Sequence, residues 1–399
     1  MPIAPEPLAE LPPAQWSGRP TLADVLPWTA RSLGETWGGG AGLPEVDARD
    51  VVVFLVDGLG DRLLERYAAD APTLTTLRAT TLRAGFPSTT AASITSLAGG
   101  VPCGIHGIIG YSFRPDDDSR VEGPPRLLNA LRWTLDRSDG EPATAVYPPD
   151  RVAPLAGALG DLADAGVAVT YVMPGEFAGT GLTRSAFRAA GTHIPAAGKD
   201  EVRAGIAAAL ADRSAGRRFV YAYYPKLDGA GHLDGPGSAS WRKMLRSIDG
   251  LVADIASDLP SGAMLAVTGD HGMIAAGRRI DLDTEKDLTA GVATIGGEPR
   301  VRHLYLADPA SAADVVATWQ ARVGDDVRVA TRAQTLDERW FGPEVAPAVV
   351  PRIGDVVAVA KDRTVLVCSV GEPFEATMIG HHGSWTADEQ LVPLVLAQG

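Results

Sequence analysis

Four short apolar runs, "DVVVFLVD" (50–57), "VAVTYVMP" (167–174), "RFVYAYYPKLD" (218–228) and "GAMLAVTGD" (262–270), are separated by Ala-rich stretches such as "RVAPLAGALGDLADAG" and "KDEVRAGIAAALADRSAG". Runs of this length without polar alternation fit strands buried on both faces, and the Ala-rich stretches fit the helices that cross between them. The alternation predicts an α/β fold with a largely parallel central sheet flanked by helices on both faces. At 399 residues the chain has room for one large domain with an elaboration, or for two ordinary domains.

The rest of the organisation follows from changes in texture along the chain. Residues 1–48 are rich in Pro and Gly and are expected to wrap the domain rather than enter its sheet. The stretch 281–375 reads as a small α+β insertion or cap, so that 49–280 and 376–399 form the main domain. The acidic triplet Asp116–Asp118 fits a solvated loop. A net charge of −13, from 36 basic and 49 acidic residues, disfavours a nucleic-acid polymer or an anionic membrane as partner. The first twenty residues show neither the basic nor the apolar region of a secretory signal, and no apolar run approaches the roughly 20 residues that span a bilayer. With only Cys103 and Cys368 present, a disulfide framework is not expected and a cytoplasmic location is.

Function is legible at the ends of the strands. Asp57, Asp228 and Asp270 each close an apolar run, and the ligand crevice of an open α/β sheet lies outside the carboxyl ends of its strands. His232 follows Asp228 by four residues, His271 follows Asp270 directly, and "GHHG" supplies His381 or His382. A lone strand-end Asp is an ordinary cap or turn former. Three carboxylates with three imidazoles are instead what two divalent cations require, zinc being favoured by nitrogen ligands and manganese the alternative. His106, His193 and His303 lack such company and are expected to serve packing or turns.

These phrases occur together in a recognisable order. "FLVDGLG", "FPSTTAASITSLAGGVPCGIHGI", "YYPKLDGAGHLDG", "AVTGDHGM" and "GHHGS" resemble the type I phosphodiesterase/nucleotide pyrophosphatase family, a branch of the alkaline phosphatase superfamily, from about Val51 to the C-terminus. The resemblance implies an alkaline-phosphatase-like fold and two zinc sites. One would use Asp57, Asp270, His271 and the nucleophile, and the other Asp228, His232 and His382, since the family reads G-x-H-G there. Eukaryotic members carry a phrase close to P-T-K-T-F-P-N, with its second Thr as nucleophile. Laid without gaps on "PSTTAAS", that Thr falls on Thr90, with Thr89 the neighbouring alternative, and the phosphate-holding Asn falls on Ser93. The departure from Asn to Ser, and of a later T-G to Gly99 and Gly100, leaves substrate preference open.

The implied reaction is hydrolysis of a phosphodiester or phosphoanhydride through a phospho- or nucleotidyl-threonine. Two cations bring +4 and three aspartates −3, and the remaining positive charge favours loss of the Thr90 proton. Thr90 at a helix start also puts the phosphate near free N–H groups. Ser88 is expected as the helix cap, and Thr95 and Ser96 as hydroxyls bonded back within the helix. The expected partner is a small phosphorylated or nucleotide substrate. The alternatives are a phosphomonoesterase or phosphonate-cleaving hydrolase on the same scaffold, a metal-dependent phosphomutase, and a nucleotide-binding pseudoenzyme. Tyr111, Phe177, Tyr223 and Trp241 stand near the phrases above without a role that spacing assigns.

Overall fold

The computed structural model describes residues 7–11, 18–40, 42–115, 126–212 and 216–399, so Asp116–Asp118 lie outside it. In chain order the principal strands are β1 (Asp50–Val56), β2 (Arg78–Arg83), β3 (Ala168–Met173), β4 (Thr192–Pro195), β5 (Arg218–Tyr224), β6 (Ala263–Thr268), β7 (Val292–Glu298), β8 (Val301–Leu306), β9 (Val327–Thr331), β10 (Val356–Ala360) and β11 (Leu391–Gln398). The helices used below are α1 (Val25–Ser32), α2 (Thr90–Gly99), α3 (Gly157–Asp164), α4 (Lys199–Ala211), α5 (Lys226–Asp234), α6 (Ala239–Ser257) and α7 (Ala312–Val323).

Seven strands form the central sheet in the order β2-β11-β6-β1-β5-β3-β4. β1 is parallel to both β5 and β6, and β3 is parallel to β4 and β5. Only β11 runs against its neighbours, β6 and β2. Because side chains alternate along a strand, β1 feeds two cores at once. Val51, Val53 and Leu55 pack with Trp28 of α1, Leu97 of α2 and Leu159 of α3. Val52, Phe54 and Val56 pack with Ile206 of α4 and Leu245 and Ile248 of α6. Each buried aliphatic side chain contributes about 1.5–3 kcal/mol, and the sheet is covered on both faces as the alternation predicts. Trp28 shows that the segment before β1 contributes a helix to this core.

Two boundaries differ from the sequence expectation. β5 stops at Tyr224, because Pro225 turns into the αR region and starts α5. Asp228 therefore stands in the first turn of a helix rather than at a strand end, and His232 lies one turn further along the same face. The stretch 151–166 breaks into Pro149–Val152 and α3 instead of one helix, with Pro154 in between and Gly157 at a positive φ where α3 begins.

A second, antiparallel sheet has the order β7-β8-β10-β9. One of its faces packs on α7 through Leu304, Val356, Ala358 and Trp319. The opposite face sends Val301, Val357 and Val359 into the core that also holds α1 and α2. A buried ion pair fastens this sheet to the segment preceding β11. Arg300, in the β7–β8 turn, reaches Glu389 with N···O contacts of 2.9 and 2.8 Å, and both side chains are fully buried. Glu389 also accepts from the backbone N–H of Ser384 at 2.9 Å and the hydroxyl of Thr386 at 2.6 Å, fixing the chain just after "GHHG". Among the described residues no helix is long and apolar enough to cross a membrane.

Removing one partner of such a pair strands a buried charge. Glu389→Ala is expected to cost about 3–5 kcal/mol in denaturant unfolding. An unchanged midpoint would show that Arg300 finds other compensation.

Candidate active site

Three elements deliver three carboxylates to one place. Asp57 follows β1, Asp270 stands two residues past β6, and Asp228 comes from the first turn of α5, whose backbone N–H bonds to the Asp57 carbonyl at 3.1 Å. Each carboxylate has one committed oxygen and one open one. Asp57 Oδ2 accepts from the Tyr223 hydroxyl, and Asp270 Oδ1 accepts from the N–H groups of Gly58 at 3.0 Å and His271 at 3.1 Å. Asp228 Oδ2 lies 3.2 Å from His232 Nε2. Asp57 Oδ1, Asp228 Oδ1 and Asp270 Oδ2 are buried with no hydrogen-bond partner among the described residues. A buried anionic oxygen without a donor is costly, and three together call for cations.

The histidines are oriented to complement them. Nδ1 of His271 is 2.9 Å from the Gly272 carbonyl, Nδ1 of His232 is 2.8 Å from that of Gly380, and Nδ1 of His382 is 3.0 Å from that of Ser88. A carbonyl at Nδ1 holds the proton there and leaves the Nε2 lone pair for a metal. His271 Nε2 is 3.5 Å from both Asp57 Oδ1 and Asp270 Oδ2, and His382 Nε2 is 3.9 Å from Asp228 Oδ1. The rings of His271 and His382 stack at 3.5 Å. Ligand atoms of Asp57, Asp270 and His271, and again of Asp228, His271 and His382, lie within 4.8 Å of one another. Two ligands about 2.0–2.2 Å from one zinc ion lie at most about 4.4 Å apart, and the contacts of 3.5 and 3.9 Å given above fall inside that limit. His271 belongs to both groups, and His232 joins through Asp228.

Burial pushes the Asp57 carboxyl well above the usual range, helped by repulsion from Asp270 and Asp228. Burial likewise raises Asp270 against the pull of His271. At Asp228 burial acts upward too, but the adjacent His232 outweighs it and holds the group below the usual carboxylate range. Burial opposes the charge on His232 while Asp228 restores it, lifting the imidazole to about 9. His382 is held well below its ordinary value by burial and by His271.

The hydroxyl-rich stretch enters the site through α2. Thr90 is its first residue, and Thr90 Oγ1 lies 3.2 Å from His271 Nε2. Thr89, not Ser88, is the residue before the helix, and it makes no side-chain cap. Ser88 instead donates its hydroxyl to the Ser384 carbonyl at 3.0 Å, tying the loop before α2 to the chain after "GHHG". Thr95 bonds back to Ala91 at 2.7 Å as expected, whereas Ser96 pairs with His106 Nε2 at 2.9 Å. Ser93 is buried, its hydroxyl has no partner among the described residues, and it does not line the cleft. That cleft, about 780 Å³, is lined by Asp57, Thr89, Thr90, Asp228, His232 and His382. Tyr111, Phe177 and Tyr223 also line it, while Trp241 is core.

Glu298 is a cleft carboxyl group that the sequence does not disclose. It ends β7, and Gly383 packs on its carboxyl in a backbone conformation (φ +133°) that suits glycine. Burial pushes it up to about 8 against the Thr89 hydroxyl bond, and Oε1 has no partner among the described residues. "TIGGEPR" offers no spacing that would link it to residue 90.

The family model of type I phosphodiesterase / nucleotide pyrophosphatase matches residues 51–385. The chain belongs to this family. Its fold is alkaline-phosphatase-like and it is a phosphoric ester hydrolase of a metal-dependent family. The comparison with curated proteins gave no match. Among solved structures, murine ectonucleotide pyrophosphatase / phosphodiesterase 5 is similar with a TM-score of 0.65 and 18% identity, covering 88% of each chain. An inactive form of that protein in complex with AMP is similar with a TM-score of 0.64 and 18% identity, covering 87% of each chain. Phosphonoacetate hydrolase from Sinorhizobium meliloti 1021, in complex with phosphonoformate, has a TM-score of 0.62 and 18% identity, covering 88% of this chain and 90% of its own. At that identity these likenesses show the fold.

Asp57 and Asp270 take up protons on folding without metal. Their contribution to the stability of the metal-free protein is therefore fully present below the unfolded carboxylate value, about 4, and is lost as pH rises through their raised folded values. Adding Zn2+ to chelator-stripped protein is expected to release protons and raise the thermal midpoint, with calorimetry in two buffers counting the protons. Binding without proton release would contradict the assigned states.

Proposed function

We propose that this protein hydrolyses a phosphodiester or phosphoanhydride of a small phosphorylated or nucleotide substrate, with Thr90 as nucleophile. The observation that carries the reading is the Thr90 hydroxyl, at the mouth of α2 and of the cleft, 3.2 Å from a histidine shared by both ligand groups. Asp57, Asp270, His271 and Thr90 would hold one divalent cation and Asp228, His232 and His382 the other, with zinc favoured by the imidazoles and manganese the alternative. Bound there, the cations supply positive charge against the phosphate and favour loss of the Thr90 proton.

The chain's own groups then account for the course of the reaction. Thr90 Oγ forms a bond to phosphorus as the ester or anhydride oxygen departs in line, leaving a phospho- or nucleotidyl-threonine. Free N–H groups in the first turn of α2 face the phosphoryl oxygens. Water breaks the threonine ester and restores the hydroxyl. No step is assigned to Ser93, whose buried hydroxyl has no partner among the described residues. In this reading 49–280 with 376–399 form the catalytic domain, 281–375 the insertion that brings Glu298, and 1–48 the wrapping segment. Both Cys103 and Cys368 are buried free thiols, which supports a reducing, cytoplasmic setting.

Thr90→Ala is expected to abolish turnover while metal content stays near two ions per chain, and Thr89→Ala to retain turnover. The reverse result would move the nucleophile by one residue. Initial rates of the zinc-loaded protein on a chromogenic phosphodiester and its matching monoester should favour the diester. A strong monoester preference would select the phosphomonoesterase alternative.

A further inference from the structure

A Ser or Thr that immediately precedes a helix ordinarily turns its hydroxyl onto an N–H of the first turn. Thr180, Ser238, Thr331 and Thr386 do so in this chain, each accepting the N–H three residues further on at 3.2 or 3.3 Å. Thr89 holds the same place before α2, in the extended conformation that a cap adopts (φ −133°, ψ 145°), yet its hydroxyl makes no cap. The N–H groups of Thr90, Ala91 and Ala92 have no acceptor among the described residues, and the helical pattern starts with the N–H of Ser93 on the Thr89 carbonyl at 2.9 Å.

The Thr89 hydroxyl goes instead to the Glu298 carboxyl at the end of β7. Both residues are buried, and both line the cleft beside Thr90. A Cβ at Gly383 would lie 3.0 Å from Glu298 Cδ, so the chain just after His382 packs directly on this carboxyl. Arg300, two residues further on, is fastened to Glu389 and fixes the turn that carries it. Oε1 of Glu298 meets no donor among the described residues. A buried carboxyl with an unmet oxygen is costly, and an apolar side chain of the same volume would fill the place at lower cost. Packing alone therefore does not account for a carboxyl here. A carboxyl oxygen accepts a hydroxyl whether the group is ionised or protonated, so the contact with Thr89 does not depend on charge.

Resting on the phosphodiesterase reading above, we propose that Glu298 is a positioning residue for phosphoryl binding: by accepting the Thr89 hydroxyl it keeps that hydroxyl off the mouth of α2, and the first-turn N–H groups stay open to the phosphoryl oxygens. A Thr89 hydroxyl released from Glu298 turns onto the N–H of Ala91 or Ala92, as its counterparts do at the other helices, and competes with the phosphate for the same donors. The second sheet thus contributes to the site an acceptor that acts through Thr89.

The test is binding of inorganic phosphate to the zinc-loaded protein by calorimetry, together with kcat/KM for bis(p-nitrophenyl) phosphate. Glu298→Met, which keeps the volume and removes the acceptor, is expected to weaken phosphate binding and lower kcat/KM by about fivefold, the scale of one helix cap. Glu298→Gln retains an acceptor oxygen and should match the wild type. Adding Thr89→Val to Glu298→Met removes the competing hydroxyl and should restore phosphate affinity, a recovery that damage to packing or to metal ligation would not show. A crystal of the zinc-loaded wild-type protein with phosphate should place a phosphate oxygen within hydrogen-bond distance of a first-turn N–H, with the Thr89 hydroxyl still on Glu298. Glu298→Met that binds phosphate like the wild type, Glu298→Gln that is as weak as Glu298→Met, no recovery on adding Thr89→Val, or a Thr89 hydroxyl found on Ala91 or Ala92 would overturn the inference and leave the diesterase reading standing. A wild-type protein that neither binds phosphate nor hydrolyses the diester would remove that reading, and the inference with it.

Discussion

Three carboxyl groups converge at one place, each with one buried oxygen that meets no hydrogen-bond donor among the described residues, and this unmet capacity organises the site. Each carboxylate is held by its other oxygen: Asp57 by the Tyr223 hydroxyl, Asp270 by two backbone N–H groups, Asp228 by His232. The arrangement aims the open oxygens rather than satisfying them. Burial of the same cluster raises Asp57 and Asp270, so the metal-free fold keeps protons there that a cation would displace.

Close backbone approach is what lets the elements come together. A Cβ at Gly60 would fall 2.7 Å from the Cα of Gly272, and one at Gly380 would fall 2.3 Å from the Gly231 carbonyl oxygen. The glycines of "DGLG", "DHG" and "GHHG" are thus contact points between the segments that carry the clustered carboxylates and histidines. Gly380 has a second role, since its carbonyl orients His232. The "GHHG" segment is tied by Ser88 on the side of α2 and by Glu389 with Arg300 on the side of the second sheet. The carboxylate and histidine cluster, the start of α2 and the second sheet are therefore joined through the segment 383–389.

Much of this was legible in the chain. The apolar runs around Val51–Val56 and Ala263–Thr268 read as buried strands because both faces are covered, and sheet topology then places Asp57 beside Asp270. Asp228 was found by its company but assigned to a strand, because "YAYYP" continues the β pattern until Pro225 turns the backbone. Ser88 was read as a cap from local propensity, whereas its hydroxyl is taken by Ser384, almost three hundred residues away. Glu298 was invisible for the same reason: only the packing of the second sheet brings it to Thr89 and Gly383. Local signals predict the elements and the residue types that gather at the cluster, while tertiary contacts decide which hydroxyl and which carboxyl face the cleft.

The account stands on the location of the cations. A crystal of zinc-loaded protein measured for anomalous scattering at the zinc edge should show two peaks, one among Asp57, Asp270 and His271 beside Thr90, the other among Asp228, His232 and His382. No peak at these residues, or zinc bound only elsewhere on the chain, would contradict it.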